Sequence, residues 1–177
     1  MPDGAFESAI VVRVSVPPAI ERLRRRRDRA ARMGVPAHVT ILYPFMPPDD
    51  LASSIRSRLA GIGAEHEPFD VRFGRVGRFP TAVYAAPDDP APFLALIDAV
   101  VAAFPGYLPY GGVFDEVIPH LTLVESTDVD LEAIPEAVGR HLPFTRRVAT
   151  LEVLVEGPDG RWHPRWRLPL GRPSRSG

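Results

Sequence analysis

Two stretches of the chain carry the same spacing of reactive side chains, His38-Val39-Thr40-Ile41-Leu42 and His120-Leu121-Thr122-Leu123-Val124. Histidine titrates close to neutrality, so two imidazoles that face one another can be held with one neutral and one protonated. Displacement at phosphorus needs such a pair. One group deprotonates the nucleophile, the other protonates the leaving oxygen on the opposite side, and no metal is required. A threonine hydroxyl beside each imidazole can donate a hydrogen bond to a non-bridging phosphate oxygen as charge builds there. A single histidine in a strand is ordinarily a hydrogen-bonded structural residue. With 5 His and 6 Thr in 177 residues, however, two copies of His-x-Thr arise by composition alone only about one time in a hundred.

Side chains alternate across a strand, so each His shares a face with its Thr, while Val39, Ile41, Leu121 and Leu123 point the other way. Two strands, each with one polar and one apolar face, must therefore be positioned together. The remaining elements fall into two similar series. Residues 9–16 read as a strand, and Pro17-Pro18 opens a helix through about Met33, stopped by Gly34. The first His strand runs to Phe45, and Asp49 or Asp50 caps a helix carrying Leu51, Ile55, Leu59 and Ile62. An alternating strand at residues 69–76 closes the first series. The second comprises a strand at 82–86, a helix at 92–104, the second His strand at 118–124, and a capped stretch from Asp130-Leu131. In that stretch Pro135 delays the helix to Ile134 or Pro135, and a strand region follows Pro143-Phe144.

Residues 151–170 read as a hairpin turning at Gly157-Pro158-Asp159-Gly160, and residues 172–177 as a frayed tail. The expectation is one domain over residues 1–177 with pseudo-repeats at about 9–76 and 81–155. A pseudo-two-fold axis would set the two His-Thr pairs face to face across a cleft. The loop at 105–119, rich in Gly, Pro and aromatics, leads directly into the second pair as a lid or substrate contact.

Composition narrows the setting. The absence of cysteine excludes disulfides, cysteine-based zinc sites and thiol nucleophiles, and fits a reducing, cytoplasmic location. The acidic opening residues do not read as a signal peptide, and no apolar run reaches the roughly 18 residues needed to span a bilayer. All 21 basic residues are arginine and the net charge is −1, so no global field draws in nucleic acid and phosphate recognition must be local.

The doubled His-x-Thr, together with Pro36-Ala37-His38-Val39-Thr40-Ile41-Leu42-Tyr43-Pro44-Phe45, Val76-Gly77-Arg78-Phe79-Pro80 and Pro119-His120-Leu121-Thr122-Leu123, resembles the two-histidine phosphoesterase superfamily. Within it the resemblance is to the bacterial 2′-5′ RNA ligase and cyclic phosphodiesterase group, over roughly residues 9–170. That resemblance implies an α+β fold of two pseudo-symmetric lobes, with mixed or antiparallel sheets around a central groove. It also implies metal-independent opening of 2′,3′-cyclic phosphates of RNA ends or nucleotides to 2′-phosphates, with reversible 2′-5′ ligation in some members. By the same resemblance His38 and His120 are the acid and base, in unassigned order, and Thr40 and Thr122 hold the phosphate.

Aromatic residues that stack on nucleobases are sought among Tyr43, Phe79, Tyr107, Tyr110 and Phe114, each of which could equally serve packing. Arg72, Arg75 and Arg78 are the local candidates for a phosphate contact, with Arg78 joining Tyr43, Phe79 and Tyr110 in the expected substrate-binding set. The basic run at 21–29 reads as a solvated arginine face. His66, His141 and His163 read as structural. A three-histidine zinc site would leave both threonines without a role, so neither metal nor cofactor is expected. The expected protein is a monomer acting on RNA with a cyclic phosphate end or on a cyclic nucleotide. The competing reading is a module that holds RNA or a nucleotide in the same groove without turnover.

Overall fold

The computed structural model describes residues 6–127 and 130–172. The expected tail beyond Arg172 and the first five residues lie outside that range. The first series of elements is β1 (Ser8–Arg13), α1 (Pro18–Arg27), α2 (Arg29–Arg32), β2 (His38–Leu42), α3 (Ser53–Glu65) and β3 (Phe69–Phe79). The second is β4 (Ala82–Pro87), α4 (Ala91–Ala103), β5 (Leu121–Glu125), α5 (Ile134–Gly139) and β6 (Phe144–Val148), followed by β7 (Thr150–Glu156) and β8 (Trp162–Pro169). Among the described residues no helix is long and apolar enough to cross a membrane.

The eight strands form one sheet in the order β6-β3-β4-β5-β2-β1-β7-β8, and every neighbouring pair is antiparallel. The fold is the expected α+β, divided into two four-stranded lobes that meet where β2 faces β5. That seam is narrow, with Val39 opposite Leu121 as its ladder pair. The lobes do not follow the halves of the sequence. β3, which ends the first series, pairs with β4 of the second, and the C-terminal hairpin takes the vacant edge of β1.

Alternation decides which residues enter the core. Ile10, Val12, Val39, Ile41, Leu121, Leu123, Leu151 and Val153 are all buried on the side covered by helices, where α4 lies against β2 and α3 against β8. Full burial of a side chain of this size contributes roughly 1.5–3 kcal/mol. In register with them, Val11 is opposite Thr40 and Arg13 opposite His38, so the polar residues of β2 stand on the other face of the sheet.

Two expected helices differ in detail. The helix expected to run unbroken to Met33 is interrupted at Asp28, whose backbone is extended (φ −92°, ψ 123°). Its carboxylate accepts the Ala31 amide at 3.1 Å, which ends one helix and caps the next. Asp49 and Asp50 do not cap α3. They belong to a 3₁₀ turn at Pro48–Asp50, and α3 begins after Ala52 without a side-chain cap. The arginine run is also not wholly solvated, because Arg24 is buried.

Candidate active site

His38 opens β2 and His120 immediately precedes β5, so antiparallel pairing at the seam presents the two motifs in opposite directions. Each imidazole is fixed in the same way. His38 Nδ1 donates to the Pro36 carbonyl at 2.7 Å and His120 Nδ1 donates to the Ile118 carbonyl at 2.6 Å. A carbonyl can only accept, so the proton sits on Nδ1 and the neutral ring keeps its lone pair on Nε2. His38 Nε2 lies 3.2 Å from Thr40 Oγ1, which donates to it. All four motif residues line one groove of about 770 Å³, a size suited to a small organic ligand.

The two rings differ electrostatically. Burial lowers the His38 pKa to about 4, against the opposing pull of the Pro36 carbonyl and with help from the charges of Arg24 and His120. Burial also lowers the His120 pKa, but the Ile118 carbonyl and the Glu125 carboxylate resist that shift. His38 is therefore held neutral most firmly, while His120 keeps a nearby anion that favours its charged form.

Tyr43, Phe79 and Tyr110 all line the groove. The Tyr43 hydroxyl donates to Glu7 Oε2 at 2.5 Å, its ring meets Trp162 edge to face at 6.2 Å, and burial pushes its pKa up. Tyr110 has a left-handed backbone (φ 52°), its amide donates to the Tyr43 carbonyl at 2.6 Å, and its hydroxyl meets Thr40. Phe114 also borders the groove and is 62% exposed, whereas Tyr107 turns away to pack on Phe45 at 5.2 Å.

The structure does not bring Arg78 to the groove. It lies between Gly77 and Phe79 on β3, so alternation sends it to the opposite face, where it pairs with Glu132 at 2.9 Å. Arg72 is likewise taken by Asp88. His66 donates to the Ile62 carbonyl at 2.8 Å and closes the end of α3.

Five further residues bear on the site. Tyr84 stacks on Phe79 at 4.4 Å, and the two rings flank His120 at 5.3 and 5.1 Å. Gly77 makes room for this arrangement, since a Cβ there would overlap the Tyr84 ring. Trp162 lines the groove above Ala9, Val11 and Leu154, three buried residues that form a separate apolar cluster with Val35 and Tyr43. Arg24 and Asp28 border the groove from α1 and the break that follows it. The sequence held one usable sign of that pair, the i, i+4 spacing of Ile20, Arg24 and Asp28 along a single stripe.

Three comparisons with known proteins bear on this groove. A family model described as the 2′-5′ RNA ligase superfamily matches residues 12–160. A Bacillus cereus (strain G9842) protein named "Putative phosphoesterase" is 27% identical over 154 residues, covering 84% of this chain and 80% of that one. A Bacillus anthracis (strain A0248) protein of the same name is 26% identical over the same shares. Among solved structures, TT0787 of Thermus thermophilus superposes with a TM-score of 0.64 at 17% identity, covering 94% of this chain and all of that one. LigT of E. coli complexed with 3′-AMP superposes with a TM-score of 0.59 at 15% identity over 94% and 99% of the two chains. At those identities the two structures establish the fold.

Proposed function

Because the chain belongs to the 2′-5′ RNA ligase superfamily, we propose that its groove is the active site of a metal-independent phosphodiesterase. Its substrates are the 2′,3′-cyclic phosphates of RNA ends or nucleotides, and its products are 2′-phosphates. The same ring opening with a nucleoside 5′-hydroxyl in place of water, forming the bond from phosphorus to O5′ as that to O3′ breaks, gives 2′-5′ ligation as a side activity, and its reversal cleaves the linkage back to the cyclic phosphate. The observation that carries this reading is the matched tethering of His38 and His120. Each donates Nδ1–H to the carbonyl two residues upstream, which leaves the Nε2 lone pair as the basic site; that of His38 accepts from Thr40, whose hydroxyl turns to the phosphate when substrate binds.

The steps follow from that geometry. A water oxygen attacks phosphorus while neutral His38 Nε2 takes its proton. The bond from phosphorus to O3′ breaks on the opposite side, and protonated His120 delivers its proton to O3′. The hydroxyls of Thr40 and Thr122 donate to the non-bridging oxygens, whose charge grows in the transition state. Solvent exchange then resets both imidazoles. Tyr43, Trp162, Phe79, Tyr110 and Phe114 line the groove and offer surfaces for the nucleoside.

Residues 9–76 and 81–155 are taken as pseudo-repeats of one domain, a reading supported by the strand, helix, strand, helix, strand order of each series. All proposed groups come from one chain, which is consistent with a monomer, and the lack of cysteine fits the cytoplasm. The test is incubation with 2′,3′-cyclic nucleotides and with RNA bearing a cyclic end, in EDTA, with products separated by phosphate position. Exclusive 2′-phosphate is expected. Tight RNA binding without any turnover would instead favour the binding module, and loss of turnover in EDTA would bring a metal into the reaction.

A further inference from the structure

Arg24 and Asp28 are 2% and 1% exposed. Arg24 Nη2 lies 3.4 Å from Asp28 Oδ2 and donates to the Val35 carbonyl at 3.3 Å, while Nη1 reaches Glu21 at 3.2 Å. Asp28 Oδ2 accepts the Ala31 amide and Oδ1 accepts the Glu125 amide at 3.2 Å. Val35 stands three residues before His38, and Glu125 three residues after Thr122. One buried ion pair thus grips the chain entering the first motif and the strand leaving the second. It does so at the seam where the ladder supplies one facing pair.

Stability does not account for this choice. The Arg24 Nε–H is buried without a hydrogen-bond partner, and a buried ion pair is often matched or exceeded in stability by apolar residues of similar volume. A charged pair kept here at that cost points to what it holds in place. We propose that Arg24 and Asp28 are positioning residues, a buried strut across the seam that fixes the spacing between the His38-Thr40 and His120-Thr122 pairs. The role rests on the reaction proposed above. The charge of the same guanidinium acts on His38, as does that of His120 just before β5. Glu116 and Glu125 complete the charged groups lining the groove with Asp28.

The deciding variant is the double substitution Arg24→Met with Asp28→Leu, which removes both charges and keeps apolar volume. The expected protein is folded, with thermal stability close to that of the parent. The Glu125 amide exchanges with solvent about tenfold faster or more, and the His38 ring titrates nearer its ordinary value when followed by NMR. With a 2′,3′-cyclic nucleotide, kcat falls at least about tenfold while KM stays within about threefold. An unchanged kcat in the folded double variant overturns the proposal. Should that variant not fold, Asp28→Asn decides, because the Ala31 and Glu125 amides are met by different carboxylate oxygens and asparagine replaces one of them with an NH2 group that cannot accept. Faster exchange at one of them with a lower kcat supports the strut, and parental exchange with parental kcat removes it. If the parent itself turns over no cyclic phosphate, the reaction fails, while amide exchange and ring titration still report whether the strut holds the seam.

Discussion

His38 and His120 occupy equivalent places in their motifs, yet their surroundings divide the labour between them. His38 lies deeper, feels the charge of Arg24 and accepts from Thr40, so in the proposed reaction it enters neutral. His120 packs against the stacked rings of Phe79 and Tyr84 with Glu125 nearby, a setting that retains the charged form more readily. His38→Ala and His120→Ala should each lower kcat by roughly 10²–10⁴-fold, the range for loss of a general acid or base, with circular dichroism unchanged. Thr122→Val should cost about 10²-fold in kcat with little change in KM, because its hydroxyl acts on charge that develops only in the transition state. Trp162→Ala is expected to raise KM for cyclic nucleotides by about tenfold through lost contact with the nucleoside, leaving inhibition by inorganic phosphate unaltered. An equal effect on phosphate inhibition would place Trp162 in the fold rather than in recognition.

At the scale of elements, the two His strands were legible because a polar pair on one face of an apolar strand is a local pattern that survives any tertiary arrangement. The helix through residue 33 was not, since the Asp28 carboxylate that caps Ala31 at the break also meets the Glu125 amide, a contact between residues far apart in sequence. Arg24 was hidden for the same reason. In a run of arginines the i, i+4 spacing to Ile20 and Asp28 is the one local sign, and it does not reveal that the carboxylate at its end is buried. Arg78 was misplaced by a single residue of strand alternation, which only the extension of β3 to Phe79 makes visible. Gly77 illustrates an element-level requirement with a direct test. Gly77→Ala should displace the Tyr84 ring and, through it, His120, lowering kcat by up to about 10²-fold, whereas Gly61→Ala on α3, which meets open space, should leave kcat unchanged.

For the whole molecule, the topology gives one lobe His38, the proposed base, and the other His120, the proposed acid. β2 belongs with β1, β7 and β8, and β5 with β4, β3 and β6, so the proposed reaction requires both lobes in register at a seam of one ladder pair. Burial of neutral His38 also couples the fold to pH. Its pKa is about 4 in the folded chain against 6.5 when unfolded, so the unfolded chain binds the extra proton first. Stability should therefore fall as pH drops from about 6.5 to about 4, by at most about 3 kcal/mol from this group, and level off below. His38→Asn should flatten that part of a urea-unfolding series. The same two imidazoles set the pH dependence of turnover. The most direct measurement is kcat/KM for a 2′,3′-cyclic nucleotide against pH in the parent and both histidine variants. The parent should give a bell, rising through about pH 4 as His38 becomes neutral and falling below pH 6.5 as His120 loses its proton. His38→Ala should erase the acid limb from its residual rate and His120→Ala the basic limb. A flat parental profile, or limbs that persist in the variants, would contradict two opposed histidines acting as base and acid at one phosphorus.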